Sequence, residues 1–278
     1  MSACGMGATP QTCPEVGACV AERPRPDTCA VMVAGGVGQR FHDPRGKQYI
    51  DLCGMPLACW SLLALDRCPS VGHVVVVCAE DRMNEMREDV VGRLSLTCPV
   101  TITLSGPERQ DSVRNGLLAV PAEFDLVAIH DAARPLVRVE WIERCIARVR
   151  EDAQVTGALC AAPVTDTLKL AEDGQVIATP DRSYYWAAQT PQVFRRKAIV
   201  AAHKAAVWDE YRGTDDASLI ERRGGRVVCV DTPGENLKVT RPEDYLVAQA
   251  LLEGRLMAEG CGIDPLDRGR EGRGDGLG

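Results

Sequence analysis

The sequence predicts an α/β fold, a mostly parallel sheet with helices on both faces and one inserted β-hairpin arm. Three observations carry this. Short apolar runs alternate with segments of helical period from Cys29 to Ala161, as they do in successive βαβ units. Two of the runs, Gly72-His-Val-Val-Val-Val-Cys78 and Asp125-Leu-Val-Ala-Ile-His130, are apolar without alternation, the mark of strands buried on both sides. Further on, Asp173-Gly174 sits between two short runs, a strong hairpin signal that interrupts the alternation.

The elements follow in order. Residues 1–27 carry Pro10, Pro14, Pro24 and Pro26 with no apolar period, and read as a disordered N-terminal extension. One folded domain is expected over 28–254. Its first strand, 29–34, runs into a loop with glycines at 35, 36 and 38. Pro56 suits the opening of a helix, with Leu57, Trp60, Leu63 and Ala64 on one face. After the strand at 72–78, residues 80–94 read as helix, 100–104 as strand, 109–119 as helix, 125–130 as strand, 139–150 as helix and 155–161 as strand. The arm occupies about 164–183, with strands at 167–170 and 176–179. It is too short to bury a core alone and is expected to pack on something else, a second subunit included. Helices are expected near 195–207 and 214–223, and a strand at 225–230. Thr240-Arg-Pro-Glu243 has capping-box spacing and should start a last helix ending near Leu252. Residues 255–278, rich in Gly, Arg and Asp, read as a disordered tail.

Composition narrows the function. The chain has 278 residues, 45% hydrophobic and 26% charged, an ordinary globular balance. A net charge of −7 and 4% aromatic residues argue against a nucleic-acid-binding surface. A few clustered cations can still make a local site for an anion. The 13 cysteines are odd in number and form no Cys-x-x-Cys pair. They read as small buried hydrophobes in a reducing compartment, so a cytoplasmic location is expected. No apolar run approaches a membrane span, and no signal-peptide core precedes the domain.

In open parallel sheets, ligands sit outside the carboxyl ends of the strands. The first strand end offers the glycine loop, then Arg40, Arg45 and Lys47. Such a loop can nest a triphosphate with its backbone N–H groups, or can be a βα turn that needs glycine for steric reasons. Other strand ends offer Ser105-Gly-Pro-Glu-Arg-Gln-Asp-Ser112, His130-Asp-Ala-Ala-Arg-Pro135 and Asp231-Thr-Pro-Gly-Glu-Asn-Leu-Lys238. His130 is expected to orient its neighbours. Asp131 can bind a metal or a ribose, or cap its turn. Asp215-Asp216 reads as a helix start, although it resembles a metal pair. Arg195-Arg196-Lys197 reads as a solvated face. The loop lacks the Gly-x-x-x-x-Gly-Lys-Ser/Thr pattern of P-loop ATPases. It also lacks a clean Gly-x-Gly-x-x-Gly, and no acidic residue ends the second strand as NAD binding requires.

Taken together and in this order, Ala34-Gly-Gly-x-Gly-x-Arg40, Lys47-Gln-Tyr, Glu108-Arg-x-Asp-Ser-Val, His130-Asp-Ala-Ala-Arg-Pro, Gln189-Thr-Pro-Gln and Asn236-Leu-Lys-Val-Thr-Arg-Pro-Glu-Asp resemble the 2-C-methyl-D-erythritol 4-phosphate cytidylyltransferases of the non-mevalonate isoprenoid pathway. The resemblance covers about 29–253. It implies a single Rossmann-like nucleotidyltransferase domain whose arm is exchanged across a homodimer. It implies that CTP and the polyol phosphate give the CDP-alcohol and diphosphate, with Mg2+ carried mainly by the CTP phosphates and no protein metal ligand. By motif, Ala34, Gly35, Gly36, Gly106 and Ser112 would hold cytosine and ribose, with Ala132 near the ribose and Thr190 completing the pocket. Arg40 and Lys47 would stabilise the triphosphate. Asp131, Arg134, Thr167, Arg182, Thr214 and Lys238 would surround the sugar phosphate, Thr167 and Arg182 reaching the partner's site. The chain departs from the family's usual residues at Gly35, at Gly46, where proline is common, and at Pro107, which removes an N–H donor. A ribitol 5-phosphate cytidylyltransferase and a non-catalytic nucleotide-binding protein are the alternatives. Asp181-Arg182, Trp186 and Ala133 favour the methylerythritol enzyme over the first. Joint presence of Arg40 and Lys47 argues against the second.

Overall fold

A computed structural model describes residues 26–36 and 46–258. In chain order it has β1 (Thr28–Val33), a small ribbon of β2 (Asp51–Leu52) and β3 (Met55–Pro56), α1 (Leu57–Asp66), β4 (Val71–Cys78), the single turn α2 (Met83–Glu85), β5 (Val100–Leu104), α3 (Arg109–Leu118), β6 (Leu126–Asp131), α4 (Val139–Glu151) and β7 (Val155–Pro163). The arm hairpin β8 (Leu170–Glu172) and β9 (Gln175–Ala178) follows, then β10 (Trp186–Arg195), α5 (Arg196–Trp208), α6 (Asp216–Arg222), β11 (Arg226–Asp231) and α7 (Pro242–Ala258).

Seven strands form one sheet in the order β11-β7-β10-β6-β1-β4-β5. Strand β10 runs antiparallel to both neighbours, and the other pairings are parallel. Side chains alternate across the pleat. Ala30, Met32, Val74, Val76 and Ala128 join one core layer, with Trp141, Ile142, Cys145, Ile146 and Val149 of α4 and Leu62 and Leu65 of α1. Val31, Val75, Val77, Val127 and Ile129 face the other, against Val113 and Leu117 of α3, Ile199 of α5 and Ile220 of α6. This double burial explains why the central strands read as unbroken apolar runs.

The structure corrects several expectations. Strand β10 has no counterpart among the expected elements, because Gln189, Thr190, Pro191 and Gln192 break its apolar pattern; the three polar side chains are nonetheless buried. The expected helix at 80–94 is a 3-10 turn (Glu80–Arg82), then α2, then a π-helical turn (Met86–Val91). Of that last turn only Met86 and Val90 are buried, too little to hold a regular helix on the core. The first arm strand lies at Leu170–Glu172, three residues later than expected, with Asp173 and Gly174 both at positive φ in the turn between the strands.

Arg195 is no solvated residue. Its guanidinium donates to the carbonyls of Val149, Asp152 and Val155. At α7 the capping carboxylate is Asp244, one residue past the expected Glu243; it accepts from the Thr240 and Arg241 N–H groups and the Thr240 hydroxyl. Helix α7 also continues to Ala258, past the expected boundary at 254. Arg255 anchors this turn by donating to the Leu136 carbonyl and pairing with Glu235. The expectations for 1–25 and 259–278 lie outside the described residues.

Candidate functional site

A cavity of about 230 Å³ opens at the carboxyl ends of β1, β5 and β6. Ala34, Gly35 and Gly36 form one wall, Gly106, Pro107, Arg109 and Ser112 a second, and Asp131, Ala132 and Lys238 a third, with Lys47 and Gln48 beside them. Each wall is set by the strand before it. The Ala34 N–H donates to the Val77 carbonyl, the Ser105 N–H to Cys78 and the Ala132 N–H to Val33, so each loop leaves the sheet pinned to the strand beside its own, β4 for the first two and β1 for the third.

The glycine wall is tightly specified. The Gln48 amide donates to the Ala34 carbonyl at 2.8 Å, fixing the start of the loop. The N–H groups of Gly35 and Gly36 donate to no described residue. Gly46 has φ 88°, a left-handed conformation closed to proline, so the turn leading into Lys47 differs from the one proline would make. Lys47 Nζ donates to the Val239 carbonyl at 2.9 Å, which ties this wall to the segment carrying Lys238. Ser112 closes the second wall from behind. Its hydroxyl accepts the Gly106 N–H at 3.0 Å and donates to the Glu108 carbonyl.

The third wall concentrates charge. Asp131 is buried, and each of its oxygens meets one cation: Oδ1 meets Arg109 Nε at 3.0 Å, and Oδ2 meets Lys238 Nζ at 2.7 Å. Burial alone would raise the Asp131 carboxyl, but Arg109 and Lys238 outweigh it and hold the group well below the usual carboxylate range. Behind it, the Thr190 hydroxyl accepts the Asp131 N–H and pairs with His130 Nδ1, both at 3.0 Å. Burial pushes the fully enclosed His130 imidazole down to about 4, which suits an orienting neutral ring. Asn236 donates to Gln189 Oε1 and to the Thr190 carbonyl, and Gln192 joins Asp215 and the Ala217 N–H. The polar residues of β10 are thus the struts under two loops.

Of the residues singled out in the sequence, Ala34, Gly35, Gly36, Lys47, Gly106, Ser112, Asp131, Ala132 and Lys238 are brought together around the cavity. Thr190 is buried behind Asp131 and does not line it. Arg134 also stands off, with Nη1 donating to the Asn236 carbonyl at 2.7 Å. Thr167, Arg182 and Thr214 are exposed and do not line this chain's cavity, and Arg182 donates to the Thr165 carbonyl within the arm. Arg40 lies outside the described residues. Asp215 caps α6 through the Ser218 N–H, and Asp216 pairs with Arg109 and His203. Among the described residues no group of three or more His, Cys, Asp or Glu side chains is placed to hold a metal ion. Arg109 and Gln48 line the cavity without having been singled out. Both stand inside the recognised motifs, Glu108-Arg and Lys47-Gln, where their chemistry was the available signal.

A glycine loop after the first strand, opposed by a lysine–carboxylate pair at the carboxyl edge of such a sheet, is the arrangement of a nucleotidyltransferase. Residues 28–254 match the family model for 2-C-methyl-D-erythritol 4-phosphate cytidylyltransferase, and the chain belongs to that family. It is 42% identical over 224 residues to the enzyme of that name from Syntrophotalea carbinolica, covering 80% of this chain and 95% of the relative. It is 41% identical over 230 residues to the one from Geobacter metallireducens, covering 82% and 98%. The crystal structure of the 4-diphosphocytidyl-2C-methyl-D-erythritol synthase from Anaerococcus prevotii superposes with a TM-score of 0.72 at 26% identity, over 81% of this chain and 96% of that one. A second synthase structure gives 0.66 at 32% identity, over 81% and 99%.

Proposed function

We infer that this chain transfers CMP from CTP to 2-C-methyl-D-erythritol 4-phosphate, releasing diphosphate, in isoprenoid precursor synthesis. The observation that carries the reading is the single cavity joining the glycine loop, Lys47 and the Asp131–Lys238 pair. An oxygen of the acceptor phosphate bonds to the α-phosphorus of CTP as the bond to the bridging oxygen breaks, and that electron pair leaves with diphosphate. The attacking oxygen is already ionised, so no strong base is needed; positioning and charge stabilisation carry the step.

In this reading Ala34, Gly35, Gly36, Gly106, Ser112 and Ala132 cradle cytidine. Arg40 and Lys47 stabilise the triphosphate, and Asp131, Arg134, Thr214 and Lys238 receive the acceptor. Thr190 serves by holding Asp131. The partner subunit's Thr167 and Arg182 complete the acceptor side. What supports that last point is the arm: Leu170, Val176 and Ile177 are exposed apolar side chains on a hairpin that buries nothing of its own, and Tyr184, Tyr185 and Trp186, where the chain returns from it into β10, are exposed as well. Mg2+ would ride mainly on the triphosphate oxygens and offset their charge. Both oxygens of Asp131 are occupied by cations, which fits a metal brought by the nucleotide. Among the described residues no helix is long and apolar enough to cross a membrane. A cytoplasmic site of action fits the described cysteines, all of which are free thiols.

The deciding assay is diphosphate release from CTP and Mg2+, with methylerythritol phosphate and ribitol phosphate offered in parallel. Turnover with the first acceptor is expected. Preference for ribitol phosphate, or CTP binding without turnover of either, overturns the reading.

A further inference from the structure

Arg109 opens α3 and lines the cavity. Its guanidinium spans two carboxylates, with Nε on Asp131 Oδ1 at 3.0 Å and Nη1 on Asp216 Oδ2 at 2.8 Å. Asp216 is 1% exposed, and its second oxygen meets Nε2 of His203, itself 2% exposed, at 3.2 Å. Lys238 takes the second oxygen of Asp131 at 2.7 Å. Five side chains from α3, α5, α6, β6 and the loop before α7 therefore form one continuous line, Lys238–Asp131–Arg109–Asp216–His203, from the cavity into the layer between α5 and α6.

A planar guanidinium can hold two carboxylates at fixed angles; an ammonium is a point charge and cannot. An isolated buried carboxylate is costly, so Asp216 belongs where it is only with Arg109 opposite it. The consequence for the cavity is a division of labour. Because Arg109 occupies Asp131 Oδ1, Lys238 has one oxygen of that carboxylate to hold. An ammonium has three donors, and one contact leaves others for an incoming phosphate. Without Arg109, both oxygens of Asp131 would fall to Lys238, and the carboxylate would lose its orientation.

We propose that Arg109 is a positioning residue for the acceptor half of the reaction, anchored by the buried Asp216–His203 pair, and that it sets Asp131 so that Lys238 stays available to the acceptor's phosphate. The proposal rests on the reading that Asp131 and Lys238 receive the acceptor. It gives a catalytic consequence to two side chains, Asp216 and His203, that do not line the cavity.

The test uses the full-length protein and its Asp216→Asn, His203→Gln and Arg109→Lys variants. Steady-state diphosphate release gives kcat and the KM for methylerythritol phosphate; calorimetry gives the Kd for CTP. The expected result for Asp216→Asn is a KM for the acceptor raised about tenfold or more, the effect of one lost charge-assisted hydrogen bond, with the Kd for CTP moved less than about threefold. His203→Gln moves the same constant in the same direction by less, and Arg109→Lys raises it despite keeping the charge, because an ammonium cannot hold both carboxylates. Where Asp216→Asn does not fold, His203→Gln is read alone. Equal losses in acceptor KM and CTP Kd, or lowered thermal stability with both constants intact, overturn the proposal. A wild-type protein inactive with methylerythritol phosphate overturns the functional reading itself. An active wild type with variants that match it sinks this inference alone.

Discussion

Gly35 and Ser105 share one space. A Cβ built on Gly35 would lie 2.4 Å from the Ser105 Cβ and 2.9 Å from its hydroxyl oxygen, closer than side-chain carbons approach. The departure from the family's usual alanine at 35 is therefore tied to the serine that opens the opposite wall. We expect Gly35→Ala to push the two walls apart and raise the KM for CTP by roughly tenfold, as small misplacements at a binding site do. Adding Ser105→Gly should restore most of it, with a coupling of about 1 kcal/mol or more in the double-mutant cycle. Additive effects of the two changes would show that the walls are independent.

Lys47 sits on the cavity with its ammonium held by the Val239 carbonyl. Lys47→Ala, and Arg40→Ala likewise, should lower kcat by roughly a hundredfold or more, the usual loss when a donor to transition-state charge is removed. Single-turnover rates at saturating CTP check this. A normal kcat in either variant contradicts the triphosphate assignment.

His130 gives the fold a pH signature. Its imidazole is neutral in the folded chain down to about 4, against an ordinary value of 6.5. Between those values the unfolded chain binds the proton and the folded chain does not, so stability falls as pH falls from about 6.5 toward about 4. From pH 7 to pH 5 this group alone should remove roughly 2 kcal/mol. Urea unfolding at both values measures it, and His130→Asn should flatten the difference. An unchanged slope in that variant would assign the pH dependence elsewhere.

The arm carries the dimer in our reading. Val176 and Ile177 are each 60% exposed on β9. Val176→Asp should lower the solution mass toward that of one chain, read by light scattering, and reduce turnover in parallel, since the partner subunit's Arg182 would be withdrawn. A dimer that survives the change would place the interface on another surface.

Most of the sheet and the cavity were legible because their causes are local. Val74–Val77 announce a doubly buried strand, and the glycines and cations stand where strands end. What escaped reading depends on distant partners. Gln189, Thr190 and Gln192 look like a loop until Asn236, Asp131 and Asp215 are seen to meet them. Arg109 resembles any helix-start arginine until Asp216, 107 residues on, closes the other side of its guanidinium. Asp244 outcompetes Glu243 as a cap by geometry that spacing alone does not encode.

Strand β10 also governs how the chain can be assembled. It lies between β6 and β7, which do not pair with each other, and it comes after both in the chain. During synthesis β1, β4, β5 and β6 can form a four-stranded sheet whose β6 edge still lacks its partner, while β7 waits with nothing to join. Only when residues up to Arg195 have emerged can the two portions be bridged, and β11 can only then complete the far edge of the whole sheet. A nascent chain that has emerged to a point between the arm and Arg195 would therefore expose both β6 and β7 along their inner edges, and at that length a chaperone has most to cover.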